Sequence, residues 1–138
     1  MRKVLSIAIA LSVFLSQYAF AFGVNPAIVY SNLNWNFSSA VGGLSTCNNM
    51  RLDGSGNLSV STSLLAYGAI NCPAIGIGYA VTGSAFIDNL GMFNMSLTFG
   101  PGNQLICARL SQVSLSGVCS VVNASGVQIG TAVIGYVP

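Results

Sequence analysis

Charge is what this sequence has least of. In 138 residues there are four Lys or Arg, two Asp or Glu, and no histidine. The acids are Asp53 and Asp88, and glutamate is absent. Each shortage removes a chemistry. Without His, and with Lys3 as the one lysine, a serine or cysteine nucleophile has no usual side-chain base. A glycosidase-like carboxylate pair would need Asp53 and Asp88 at one cleft. Both read instead as turn residues, Asp53 in Asp53-Gly54 and Asp88 in Phe86-Ile87-Asp88-Asn89. No metal site is expected, because no Cys-x-x-Cys pair and no His are present. No cofactor is expected either. Gly76-Ile77-Gly78 opens like a dinucleotide loop, but Val81 stands where the last glycine would be, and no helical pattern follows. Arg51 and Arg109 alone cannot build the basic footprint of a nucleic-acid binder. The expectation is a protein that is not an enzyme and has no catalytic residue.

The other two cations explain themselves. Arg2 and Lys3 precede an apolar run from Val4 to Leu15, and Ala19-Phe20-Ala21 follows as a small-residue cleavage site. This is the pattern of a secretory signal. Residues 1–21 are therefore expected to be a signal peptide and residues 22–138 one all-β domain. Cleavage near Ala21 would deliver the chain to the periplasm, the cell surface or the medium. The mature chain would keep Arg51, Arg109, Asp53 and Asp88 and be formally neutral. A typical soluble domain is about 25% charged, so copies of this one would repel each other little, which favours association.

Helical periodicity is lacking too. Phe93, Met95, Leu97 and Phe99 alternate with Asn94, Ser96 and Thr98, as in a half-buried strand. Leu58, Val60 and Thr62 alternate with serines. Val113, Leu115, Cys119 and Val121 share a face, and so do Val127, Ile129, Thr131 and Val133. A first strand fits within Ala27 to Phe37. Residues 64–87 carry no charge, but Gly68, Gly76, Gly78, Gly83 and Pro73 oppose a membrane helix. Two strands around a Cys72-Pro73 turn are expected there. Further turns are marked by Gly42-Gly43, Asn89-Leu90-Gly91, Gly100-Pro101-Gly102 and Asn123-Ala124-Ser125-Gly126. Asp53-Gly54 reads as a tight hairpin turn before Leu58. The fold class is all-β: an antiparallel meander of about eight short strands, as a small barrel or a sandwich. An outer-membrane barrel would need longer strands and aromatic girdles.

Cys47, Cys72, Cys107 and Cys119 read as two disulfides in an exported chain. Three pairings are open. The sequential one, Cys47–Cys72 and Cys107–Cys119, is favoured because each bond closes a modest loop. Arg109 lies near Cys107, and a nearby cation lowers a thiol pKa. An even cysteine count with no base favours a staple over a thiolate. Register adds a condition. A Cys107–Cys119 bond requires a wide loop centred near Val113, or a bulge. Four Asn-x-Ser sequons stand at Asn36, Asn57, Asn94 and Asn123.

Two functions follow from these features. The first is association with itself, a cell surface or a matrix, by an exported non-enzymatic protein. The alternative is a small barrel holding a hydrophobic small molecule, with Trp35, Phe93, Leu97, Phe99, Val113 and Leu115 as the candidate apolar lining. A donor-strand fibre subunit, suggested by the run Thr131 to Pro138, ranks below both. Trp35 on the first strand, with an arginine late in the chain, resembles the closed end of lipocalin-type barrels, though Leu33 replaces their glycine. The signal, the Ser/Thr/Gly-rich body and the four spaced cysteines resemble small secreted proteobacterial proteins of the alkane-oxidation activator kind. That resemblance is one of texture and transfers no functional residue. It implies a surface or extracellular role linked to hydrophobic growth substrates or attachment.

Overall fold

Alternation becomes a closed barrel. The structure, a computed structural model, describes residues 32–54 and 63–138. The signal segment, the strand pattern at Leu58 to Thr62 and the sequon at Asn57 lie outside the described residues. The strands are β1 (Leu33–Ser39), β2 (Asn49–Gly54), β3 (Leu64–Cys72), β4 (Ile77–Ile87), β5 (Phe93–Phe99), β6 (Asn103–Leu110), β7 (Gly117–Val122) and β8 (Gln128–Val137). A 3-10 turn, Pro73–Ile75, joins β3 to β4. Each strand pairs antiparallel with the next, and β8 returns to β1, so the meander closes. Trp35 lies opposite Tyr136 and Phe37 opposite Ile134 across that seam.

Strand residues that face inward are apolar. No polar or charged residue is buried among the described residues. The core is built on Trp35, Met50, Leu52, Ile70, Phe93 and Leu97, with Met95 and Leu105 beside them. Outward positions of β1 and β5 are Asn34, Asn36 and Ser38, and Asn94, Ser96 and Thr98. An outer-membrane barrel has the reverse arrangement, an apolar belt around a polar interior.

Three expectations are corrected by register. Asp53 and Gly54 are not a hairpin turn. They continue β2, opposite Tyr67 and Ala66. Asp53 is held there by its own contacts: it accepts a 2.7 Å hydrogen bond from the Asn32 backbone and pairs with Arg51 at 3.2 Å. β8 turns the other way round from the face of Val127, Ile129, Thr131 and Val133. Partners across a ladder share a face, and Trp35, Phe37 and Cys119 all point inward. Their partners Tyr136, Ile134 and Ala132 must therefore point inward, leaving Val133 exposed. Finally, Val113 and Leu115 are not on a strand with Cys119. They lie in the loop between β6 and β7.

Tight closure needs glycine where a neighbouring backbone crosses close by. Gly68 and Gly83 occupy inward positions of β3 and β4. A Cβ on Gly68 would collide with the Arg51 carbonyl oxygen, and one on Gly83 with the Ser96 carbonyl oxygen. Gly83→Ala is therefore expected to cost about 4 kcal/mol or more, the range reserved for severe packing faults. Gly42→Ala, with nothing within 4 Å, should stay within about 0.5 kcal/mol of the parent. Urea unfolding of the two variants checks this. Equal midpoints would show that the barrel bends without needing glycine.

Candidate functional site

A barrel offers three places for function: its lumen, its ends and its outer face. The lumen is occupied. Trp35, Phe93 and Leu97 are wholly buried, and Phe99 and Leu115 nearly so. They pack as a single core with one another. Val113 is the exception among the candidate lining residues, since it stands 93% exposed at the tip of the β6–β7 loop. The loop explains the difference. Leu115 takes a left-handed conformation, φ 48°, which turns its side chain inward. Its carbonyl accepts a 2.8 Å hydrogen bond from the buried Trp35 indole nitrogen. That bond satisfies the one polar atom of an otherwise apolar side chain. It also pins the loop as a plug.

The opposite end is plugged in a similar way. Residues 40–48 fold over it, with Leu44 buried beneath. The Tyr79 hydroxyl donates to the Gly43 carbonyl at 2.9 Å, and the Tyr79 ring meets Phe99 edge-on. Val41 fills the space that a side chain on Gly130 would take. A cleft of about 60 Å³ remains between Val41, Leu44, Tyr79, Phe99 and Val121. Small-molecule pockets run to about 300–1,000 Å³, so this cleft has room for a water or two.

Both disulfides serve these plugs. Cys47–Cys72 ties the 40–48 loop to the end of β3, and Cys107–Cys119 crosses from β6 to β7 beneath the Leu115 loop. The sequential pairing holds, and none of the four is free. Gln104, Leu105 and Ile106 pair with Val122, Val121 and Ser120. Carried on one step, that register sets Cys107 opposite Cys119, around the wide loop centred on Val113. Arg109 therefore has no thiolate to tune. It is exposed in a left-handed conformation, φ 55°, where the β5–β6 register slips. Its backbone donates to the Asn94 side chain at 2.9 Å. This bulge moves the inward position from Cys107 to Leu110, an irregularity that the alternation of LICARL does not reveal.

Asp88 is a turn organiser. Its carboxylate accepts from the backbones of Met92 and Leu90 and from the Asn94 amide, at 2.9–3.1 Å. The Met92 bond, followed by those to Asn94 and Leu90, holds its pKa below the ordinary carboxylate value, with Arg109 adding a smaller pull. Asn94 and Asn123 likewise close turns with their side chains.

The outer face carries what the lumen does not. Twelve large apolar side chains are exposed, against four charged ones in the described residues. Val118 and Val133 lie directly opposite each other on β7 and β8, with Val137 farther along β8. Leu65, Tyr67 and Phe86 form a second group on β3 and β4. The sequence indicated the charge shortage, but only the register of β8 reveals which valines are outside. No protein-family model matches the chain, and searches of curated proteins and of solved structures return no match either.

Two outcomes follow. Trp35→Phe leaves the Leu115 carbonyl without its donor, at a cost of about 1–3 kcal/mol. Hydrogen exchange of the 111–116 amides should accelerate in that variant. Unchanged protection would show that the plug holds without the indole. Asp88 contributes stability above the ordinary carboxylate range, because its folded pKa is lowered. That contribution is lost as pH falls through the folded value. Asp88→Asn should therefore melt below the parent at pH 7, with the gap narrowing in acid. A constant gap across the titration would contradict this.

Proposed function

We propose that the chain is an exported, non-enzymatic barrel that works by association through its outer face. The export part rests on the signal pattern before Ala21. Two intramolecular disulfides fit the oxidising compartment to which such a signal leads. Periplasm, cell surface or medium are the destinations this reading allows.

One observation carries the association. Among the described residues the inward side chains pack as one core, and the cleft beside Val41 and Tyr79 holds about 60 Å³, which favours the outer face as the part that acts. That surface exposes Val118, Val133 and Val137 along one seam while holding few charges to keep copies apart. Exposed apolar side chains such as the facing Val118 and Val133 are how folded proteins meet other surfaces. The resemblance to small secreted proteins linked with hydrophobic growth substrates or attachment agrees with it.

The second reading, an apolar ligand inside the barrel, is supported by the wholly apolar lumen. It requires a plug to withdraw, and the Leu115 loop is tied by a hydrogen bond that a ligand would have to replace. Native mass spectrometry of the chain from its own host tests it. Repeated absence of bound lipid removes this reading.

Self-association is tested by sedimentation of the oxidised chain over a range of concentrations. A concentration-dependent assembly is expected, and Val118→Asp with Val133→Asp should disperse it, because burying unpaired carboxylates is costly. A strict monomer at the highest concentration would count against self-assembly through this seam.

A further inference from the structure

The Asn-x-Ser sequons are a motif that association through the outer face does not use. Those at Asn36, Asn94 and Asn123 lie among the described residues, and the fold treats them differently. Asn36 stands in the middle of β1, paired with Asn49 on β2 and with Gly135 on β8. For the chain to leave the sheet there, the closing seam of the barrel would have to break. Asn94 is held by its side chain. Its amide nitrogen donates to the Asp88 carboxylate at 3.1 Å and to the Met92 carbonyl at 3.0 Å. Its amide oxygen accepts from the Arg109 backbone at 2.9 Å. Both N–H bonds of that amide are therefore occupied.

Asn123 differs on each count. Its sequon, Asn123-Ala124-Ser125, lies wholly in the loop between β7 and β8. Ala124, Ser125, Gly126 and Val127 are exposed. The Asn123 amide oxygen accepts from the Ser125 and Val127 backbones, each at 3.0 Å. Both neighbours are N–H donors, so the atom turned towards them has to be the oxygen. This is an Asx turn. The amide nitrogen sits on the other side of the same carboxamide and makes no hydrogen bond among the described residues. The backbone closes the loop as well. Asn123 donates to the Val127 carbonyl and Gly126 to the Asn123 carbonyl, both at 2.9 Å. None of these bonds uses the Ser125 hydroxyl.

We propose that the folded barrel offers Asn123 as the acceptor of an N-linked glycan and withholds Asn36 and Asn94 from the same transfer. The donor is a polyprenyl diphosphate oligosaccharide. Nδ2 of Asn123 forms a bond to C1 of the first sugar. The C1–O bond to the diphosphate breaks, and the diphosphate leaves with that electron pair. One Nδ2 proton passes to a base of the transferase. An acceptor sequon belongs in a surface loop of an exported chain, and among the described sequons the one at Asn123 meets that condition. The proposal goes beyond the association reading and shares with it only export. A bulky, hydrated group on this loop adds solubility to a barrel with four charges among its described residues.

Glycan transfer to the folded, oxidised full chain tests this. The chain carries Asn57→Gln, so that Asn36, Asn94 and Asn123 are the sequons left. It is incubated with a polyprenyl diphosphate oligosaccharide and a purified oligosaccharyltransferase that requires nothing beyond Asn-x-Ser/Thr. Occupancy is read by peptide mass mapping. Glycan is expected at Asn123, at least about tenfold above Asn36 or Asn94, because opening the Asn94 site breaks three hydrogen bonds. Ser125→Ala should abolish transfer yet melt with the parent, since the turn uses the Ser125 backbone and not its hydroxyl. Isolated peptides spanning Asn36 and Asn94 should be accepted, because the fold is what withholds those sites. An unmodified Asn123 in the folded chain, when the peptides are accepted, overturns the proposal. So does equal transfer to Asn36 or Asn94, and so does refusal of the peptides. Sedimentation is read separately. A strict monomer glycosylated at Asn123 counts against association and leaves this site standing. An assembling chain left unmodified there does the reverse.

Discussion

Closure of the sheet along the β1–β8 seam is the constraint on which the rest of this molecule depends. Six residue pairs cross it, from Asn34–Val137 to Ser39–Ala132. Once the seam is made, the barrel encloses a fixed volume, and close packing requires side chains to fill it. Trp35 faces Tyr136 there with ring centroids 5.8 Å apart. Its indole nitrogen then has to find a partner, and the Leu115 carbonyl provides it. The left-handed turn at Leu115 and the plugging loop both follow from that need. The wide loop in turn sets Cys107 opposite Cys119.

Closure also accounts for how a chain with so little charge keeps its strands to itself. Exposed edge strands invite pairing with other chains, and charged side chains are a common guard against it. Here the described strands form a ring with no free edge. The backbone has no ladder to offer, so the guard is not needed. What remains outside is side-chain chemistry. Apolar residues on β7 and β8 can be exposed without templating a fibre, and for the same reason a donor-strand mode of assembly has no edge to enter.

Much of this was legible in the sequence, for identifiable reasons. The β5 pattern was legible because Phe93, Met95, Leu97 and Phe99 alternate strictly with Asn, Ser and Thr, and one face is core. Turns at Gly100-Pro101-Gly102 and Asn123 to Gly126 were legible because few other residues suit them. Three cysteine pairings were open in the sequence, loop length favoured the sequential one that the structure shows, and its register condition held. The phase of β8 was not legible. Val133 and Ile134 are adjacent and both apolar, so alternation alone cannot say which faces the core. Only the partners on β1 and β7 decide it. Asp53-Gly54 misled because a turn dipeptide can also sit in a strand when Asn32 and Arg51 satisfy the carboxylate. The bulge at Arg109 depends on the Asn94 side chain across the ladder, a contact with no local signature. For the candidate lining the same limit applied. Val113 and Leu115 are two residues apart, yet a single left-handed residue sends one out and the other in.

The scarcity of charge then takes on a second meaning. The four charges that remain are held by structure: Arg51 with Asp53 beside Asn32, Asp88 inside its turn, and Arg109 on a bulge. Three of them bear on how the chain is built at one pole. Asp53 and Arg51 fix the approach to β1, and Asp88 shapes the β4–β5 connection. At the other pole those tasks fall to a disulfide, a tyrosine hydroxyl and an asparagine. Those devices are neutral. Neutral devices hold the charged pole as well, since Cys107–Cys119 and the Trp35 bond to the Leu115 carbonyl lie there, so its ions add to those staples and do not replace them.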